Sequence, residues 1–196
     1  MKLSILICSL PEPYYSTKLD RLMSVLKSQA VGKSVEIIVD DAGRQTPTGT
    51  KRNNLISRAS GDYVVFVDSD DLVSDSYIND ILRSLESSPD CVTMRGWMTT
   101  NGINRREWTI KLGSGYYEKD GHYYRWPNHL AVMKKSLIQN IPFPPIWQQE
   151  DYQWSKQIND RKILKTEVHI AKPIYHYDYW DKDKRHNHQT IKNIRR

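Results

Sequence analysis

The chain has 196 residues, 38% hydrophobic and 27% charged, with a formal net charge of +6. That length supports one domain with a real core, and the composition fits a globular protein. No apolar run is long enough to span a bilayer, so stable membrane insertion is not expected. Residues 1–10 lack the basic start and apolar centre of a signal peptide. The two cysteines, Cys8 and Cys91, sit in apolar segments. They read as core residues of a reducing compartment rather than a disulfide framework, which points to the cytoplasm.

Residues 3–10 read as a first strand. Ser16 or Thr17 would cap a helix with Leu19, Leu22, Met23 and Leu26 on one face, and Gly32 ends that unit. Residues 35–39 form a second apolar strand, stopped by Asp40-Asp41-Ala42-Gly43. A loop with Pro47 and Gly49 follows. The next helix, 51–60, buries Leu55, Ile56 and Ala59, with Gly61 just past its end. A strand then runs into Asp68. A helix over 74–85 shows Ile78, Ile81, Leu82 and Leu85 at helical spacing, and a strand over 91–95 comes next. This alternation predicts a mostly parallel sheet with flanking helices, a nucleotide-binding α/β sandwich.

The pattern changes after residue 96. Asn101-Gly102 is a strong hairpin signal between 97–100 and 104–110. Residues 113–121 are rich in Gly and Tyr. Pro142, Pro144 and Pro145 mark an irregular loop, and 150–158 fits a helix. All six Trp lie between Trp97 and Trp180; aromatic faces stack on bases or sugars, although most simply fill cores. No repeat or linker divides the chain. We expect one domain over 1–196: a first half over 1–96, a smaller mixed region over 97–181, and a basic tail over 182–196. Such a tail is a solvated terminus or a surface for phosphates.

The run Gly61-Asp62-Tyr63-Val64-Val65-Phe66-Val67-Asp68-Ser69-Asp70-Asp71 concentrates the chemistry. Its apolar centre reads as a strand buried on both faces. It ends in three carboxylates at the edge where open α/β sheets bind ligands. Carboxylates so close repel unless a cation lies between them. Oxygen donors of this kind suit Mg²⁺ or Mn²⁺ held together with a substrate phosphate. A solvated acidic turn capping the next helix would look similar.

Several segments taken in order resemble a family 2 glycosyltransferase of the GT-A fold. They are Ser4-Ile5-Leu6-Ile7-Cys8-Ser9-Leu10-Pro11, Val35-Glu36-Ile37-Ile38-Val39-Asp40-Asp41, Gly49-Thr50-Lys51-Arg52-Asn53, Asp68-Ser69-Asp70-Asp71, Asn128-His129-Leu130, Phe143-Pro144 and Glu150-Asp151-Tyr152. The chain looks most like the short, single-domain members found in phages and bacterial surface-polysaccharide clusters. The resemblance implies inverting transfer of a sugar from a nucleotide-diphosphate sugar, most often a UDP-sugar. It places residues 1–96 on the donor side and 97–181 on the acceptor side. Pro11, Asp41, Lys51, Arg52, Asn53, Asp68 and Ser69 would meet the donor, with Asp41 on a uracil N–H, Lys51 and Arg52 on the diphosphate and Asp68 on the ribose or sugar. Asp70 would hold Mn²⁺ or Mg²⁺, with His176 as a further ligand. Asp151 would be the base and Glu150 its acceptor-orienting neighbour. Trp126, Asn128 and His129 would line the acceptor side. The chain departs from the family pattern where Glu12-Pro13-Tyr14 follows Pro11 and where Gln148-Gln149 precedes the Glu-Asp pair.

Other classes compete on the residues alone. His186-Asn187-His188 and the basic tail suggest a metal-dependent nuclease, but the triplet lacks a zinc or nuclease context. A nucleotidyltransferase would need a Gly-rich phosphate loop after the first strand, and residues 9–15 contain no Gly. A non-catalytic sugar- or nucleic-acid-binding module fits the charge and the aromatics. For a transferase, the acceptor would be a glycan, a lipid-linked sugar or a modified nucleic acid.

Overall fold

The computed structural model describes residues 1–181; the basic tail and His186-Asn187-His188 lie outside the described residues. The chain opens with β1 (Leu3–Cys8), buried along most of its length. Helix α1 (Pro13–Ala30) follows and starts before the expected Ser16 or Thr17 cap. Proline suits a first helical position because its missing N–H would be unpaired there anyway. The Ser16 and Thr17 hydroxyls instead donate back to the Pro13 carbonyl, at 3.2 and 2.9 Å. Next come β2 (Val35–Asp40), α2 (Thr48–Arg58) and β3 (Tyr63–Phe66).

β1 sits between β2 and β3 and pairs in parallel with both. These βαβ crossovers match the alternation read from sequence. Gly61 has a different role from the expected left-handed stop, because the helix closes at Ala59. A Cβ on Gly61 would lie 2.5 Å from Ser4 Oγ and 2.8 Å from Ser4 N. Glycine is needed there because the backbone runs hard against β1.

The chain continues through β4 (Leu72–Val73), α3 (Tyr77–Leu85), β5 (Cys91–Thr100), β6 (Ile103–Ile110), β7 (Tyr117–Lys119), β8 (His122–Arg125) and β9 (Val132–Lys134). It ends with α4 (Lys135–Ile138), α5 (Glu150–Asp160) and β10 (Glu167–Tyr179). The helix expected from residue 74 starts at Tyr77, because β4 first pairs with β10. The Asn101-Gly102 hairpin forms with both residues at positive φ, 54° and 78°. Asp120-Gly121, at 52° and 74°, turns β7 into β8. Both pairs fit the primed turns that match strand twist.

One sheet runs β2-β1-β3-β9-β5-β6-β8-β7, with β10 laid along β5 and β4. Pairing is parallel in β1–β3, in the long β5–β10 contact and between β6 and β8, and antiparallel for β9 with β3 and β5, for β5–β6 and for the β7–β8 hairpin. The core lies where the helices cover this sheet. Phe143 stacks on Trp154 of α5 at 4.2 Å between ring centroids and meets Phe66 of β3 edge-on at 5.6 Å.

Candidate active site

The carboxyl ends of β1 and β3 and the start of α2 surround a cavity of about 690 Å³. Ser9, Leu10 and Glu12 line it from the loop after β1, Lys51 and Arg52 from α2, and Asp68, Ser69 and Asp70 from the turn after β3. Trp147 and Gln148 close the far side from the loop before α5. This is the edge where open α/β sheets carry ligands.

The first turn of α2 is tied down from two directions. Lys51 is buried, and its Nζ donates to the Ser9 carbonyl at 2.8 Å and to the Ala42 carbonyl. Burial lowers its pKa. On the other side, a Cβ at Gly49 would collide with the Pro144 carbonyl, so only glycine allows the approach. Gly49 N–H donates to the Ile146 carbonyl at 3.1 Å. Asn53, expected on the donor, exchanges two hydrogen bonds with the Phe143 backbone instead, at 2.9 and 2.8 Å. It does not line the cavity. Its role here is to fasten the proline loop to α2.

A continuous chain of charged groups runs from Arg52 and Asp68 in the cavity lining to residues behind it. Arg52, only 4% exposed, donates from Nε to Glu150 at 3.1 Å and from Nη2 to Asp68 Oδ1 at 3.0 Å. Its plane lies over Phe66, with Cζ 4.9 Å from the ring centroid. Its Nη1 is buried with no hydrogen-bond partner among the described residues. The other Asp68 oxygen lies 3.3 Å from His129 Nε2, and His129 Nδ1 lies 3.3 Å from Asp151 Oδ2, outside hydrogen-bond alignment. Burial and Arg52 oppose protonation of His129, but the two carboxylates outweigh them and raise its pKa. Burial opposes the charge on both carboxylates too. For Asp68 the opposing charges of Arg52 and His129 prevail and hold it well below the usual range. For Asp151 the contact with His129 prevails and lowers it to about 2. Glu150 thus braces Arg52 rather than facing the acceptor side. Asp151, at the first turn of α5, remains 36% exposed at its side chain.

The carboxylates after β3 separate by environment. Asp71 is buried, accepts from Tyr175 Oη at 2.7 Å and from Asp178 N–H at 3.0 Å, and is pushed well up by burial, Asp70 and Asp68. Asp68 is engaged by Arg52 and His129. Asp70 lines the cavity. One carboxylate in a cavity lined by Lys51 and Arg52 fits Mg²⁺ or Mn²⁺, which takes few protein ligands and completes its shell with phosphate oxygens and water. Among the described residues no three His, Cys, Asp or Glu side chains converge as a cation cage. His176, expected as a second ligand, points elsewhere. Its Nε2 pairs with Thr99 Oγ1 at 2.7 Å and its ring stacks on Trp97 at 5.4 Å.

Pro11 and Asp41 are exposed beside the cavity, and neither lines it. The carboxylate that organises that turn is Asp40, which accepts from Ala42 N–H at 3.1 Å. His129, expected to line the acceptor side, sits between Asp68 and Asp151 and so joins the two halves. Its one sequence signal was its position in Asn128-His129-Leu130, since no periodicity marks a loop histidine.

No curated protein sequence matches the chain. Solved structures match its fold. S. aureus TarS 1-349 in complex with UDP-GlcNAc aligns with a TM-score of 0.65 at 13% identity, covering 95% of this chain and 61% of that one. Glucosyl-3-phosphoglycerate synthase from Mycobacterium tuberculosis, in complex with Mn²⁺, UDP and glucosyl-3-phosphoglycerate, aligns at 0.59 and 15% identity, covering 93% and 74%. The chain therefore spans less than two thirds of the TarS fragment. No described helix is long and apolar enough to cross a membrane. The model of Glycosyl transferase family 2 matches residues 20–181, and the chain belongs to that family.

Proposed function

We propose that the protein is an inverting glycosyltransferase that moves a sugar from a nucleotide-diphosphate sugar, a UDP-sugar by preference, to an acceptor hydroxyl. One observation carries this reading: a cavity of donor size whose lining residues Arg52 and Asp68 lead, through the buried His129, to a partly exposed carboxylate, Asp151. The UDP-GlcNAc in the TarS structure and the UDP in the synthase structure support the choice of donor.

The family pattern supplies the roles, and the placement of Lys51, Arg52, Asp68, Ser69 and Asp70 around the cavity supports them. Asp41, exposed just past β2, is the partner for a uracil N–H. Arg52 brings a buried N–H toward a diphosphate oxygen, and Lys51 adds positive charge beside it. Ser69 and Asp68 stand where the ribose or sugar hydroxyls would lie. A divalent cation on Asp70, when bound, would neutralise charge on the departing diphosphate as a Lewis acid. The acceptor oxygen bonds to the anomeric carbon on the face opposite the diphosphate. The bond from that carbon to the diphosphate oxygen breaks with its electron pair, and the acceptor proton passes to Asp151. The acceptor is a hydroxyl of a glycan, a lipid-linked sugar or a modified nucleic acid.

The test is nucleotide release from UDP-, GDP-, CDP- and dTDP-sugars, with Mn²⁺ or EDTA. Wild type is expected to hydrolyse one donor slowly, and EDTA or Asp70→Ala is expected to abolish it. Asp151→Asn is expected to cost transfer to an added acceptor about 10²–10⁴-fold while UDP still binds. Absence of release and of metal-dependent thermal stabilisation by every nucleotide would overturn the reading.

A further inference from the structure

We propose that His129 is a positioning residue that clamps the base to the donor side, tying Asp151 of α5 to Asp68 of the turn after β3. This rests on the transferase reading above, which supplies the role of Asp151. The clamp is built from three segments far apart in sequence. The His129 carbonyl accepts from Phe66 N–H at 3.1 Å, which pins the backbone to β3. Asn128 Oδ1 accepts from Leu130 N–H at 3.0 Å, and the Asn128 carbonyl accepts from Ala131 N–H at 2.9 Å, which sets the turn. The ring is 7% exposed, so it cannot swing into solvent. Each of its nitrogens lies 3.3 Å from one carboxylate oxygen.

The charged groups around the ring are Asp68, Asp151 and Arg52, with Glu150 behind Arg52. A singly protonated ring offers one N–H, and it would leave the second carboxylate facing a lone pair. A doubly protonated ring donates from Nε2 to Asp68 and sets positive charge 3.3 Å from Asp151 at Nδ1. Two carboxylates against Arg52 and a charged ring also balance better than two against Arg52 alone. The result is a bridge between the group that would meet the sugar and the group that takes the acceptor proton. A base misplaced by about 1 Å can lose about a hundredfold in rate, so a rigid link from donor to base has direct catalytic value. Because Arg52 holds the other oxygen of Asp68, losing His129 should free Asp151 more than Asp68.

The experiment compares wild type, His129→Gln, Asp151→Asn and the double variant. Four quantities are measured: kcat with acceptor, donor KM, UDP affinity by calorimetry, and imidazole titration by NMR. His129→Gln is expected to lower kcat about 10- to 100-fold while UDP affinity changes less than about threefold. In the Asp151→Asn background it is expected to cost nothing further. One NMR signal should titrate above ordinary histidine, vanish in His129→Gln and move down in Asp151→Asn. A kcat within about twofold of wild type, or additive losses in the double variant, would overturn the proposal. So would parallel loss of kcat, UDP affinity and melting temperature, which marks a purely structural ring. A wild type inert toward every donor, with the NMR shift intact, would fail the transferase reading and leave the contact as structure only, which also overturns the catalytic role.

Discussion

The two halves of the chain meet at one cavity and are organised by different physics. The first wall comes from β1, β2 and β3, whose parallel pairing places three loop starts at one sheet edge. The chemistry there follows from topology: any residue just past those strands arrives near the cavity. Across from it the cavity is lined by Trp147 and Gln148 of the proline loop, while the loop histidine His129 and the first turn of α5 lie behind Arg52 and Asp68. Long-range ties hold these in place, among them Asn53 to Phe143 and Arg52 to Glu150. The first wall tolerates change wherever the sheet is kept. The second depends on single contacts, and Arg52 belongs to both.

The largest way to break that arrangement is Arg52→Ala. It leaves Asp68 and Glu150 buried or half-buried without their shared cation. Removing one partner of a buried pair costs about 3–5 kcal/mol, because the remaining charge is uncompensated. Urea unfolding should show that loss, and UDP affinity should fall with it. A loss under about 1 kcal/mol would mean that solvent reaches the pair.

Gly49→Ala tests the proline loop without touching a charge. The added methyl meets the Pro144 carbonyl, so α2 and the loop must part. Overpacking of this kind costs about 1–3 kcal/mol. Because Trp147 and Gln148 line the cavity, UDP affinity should weaken while Asp68 and Arg52 stay in place. Unchanged affinity would separate the loop from donor binding.

Acid acts on depressed carboxylates in both halves, and Glu36 isolates the share that belongs to the β1–β3 side. Glu36 on β2 accepts from Ser4 Oγ at 2.5 Å, from Ser60 N–H at 2.6 Å and from Lys2 Nζ at 3.0 Å. Burial opposes its charge, but the Ser4 and Ser60 hydrogen bonds prevail and lower its pKa to about 2 from 4.5. A depressed carboxylate stabilises the fold above its unfolded pKa, and that stability is lost as pH falls from 4.5 toward 2. Solvent screening leaves about 1 kcal/mol. Glu36→Gln should flatten that part of the stability–pH curve, and an unchanged slope would assign the acid sensitivity elsewhere.

The same contrast explains what the sequence revealed. The apolar runs of β1 and β3 and the spacing of Leu55, Ile56, Ile78 and Ile81 named the parallel half, because burial on a regular element leaves a period in the chain. Asn101-Gly102 named its hairpin through backbone chemistry alone. Asp120-Gly121 carried the same signal but sat between strands too short to show alternation. Asn53 and Glu150 kept the family's residue types, while their partners, Phe143 and Arg52, are set by tertiary contacts. His129 left no pattern because its neighbours in space, Asp68 and Asp151, are distant in sequence.

His176 gives the smallest effect and the sharpest test of which face matters. Successive side chains on a strand point to opposite faces. On β10, Tyr175 reaches Asp71 and the Asp68 N–H, at 2.7 and 3.2 Å, so its face looks toward the carboxylate turn. Tyr177 shares that face, and burial, Asp71, Asp68 and Asp70 together push its hydroxyl pKa up. His176 and Asp178 point the other way, and both contact Thr99 Oγ1. For His176 to ligate a cation on Asp70, it must leave Thr99 and its stack on Trp97. His176→Ala is therefore expected to change kcat and the Mn²⁺ requirement less than about threefold and to cost about 1 kcal/mol of stability for the lost hydrogen bond. Asp70→Ala should abolish the metal response in the same assay. A tenfold or greater rise in the Mn²⁺ requirement of His176→Ala would show that β10 turns its other face to the cavity when donor binds, which would make the end of that strand a moving part of the first wall.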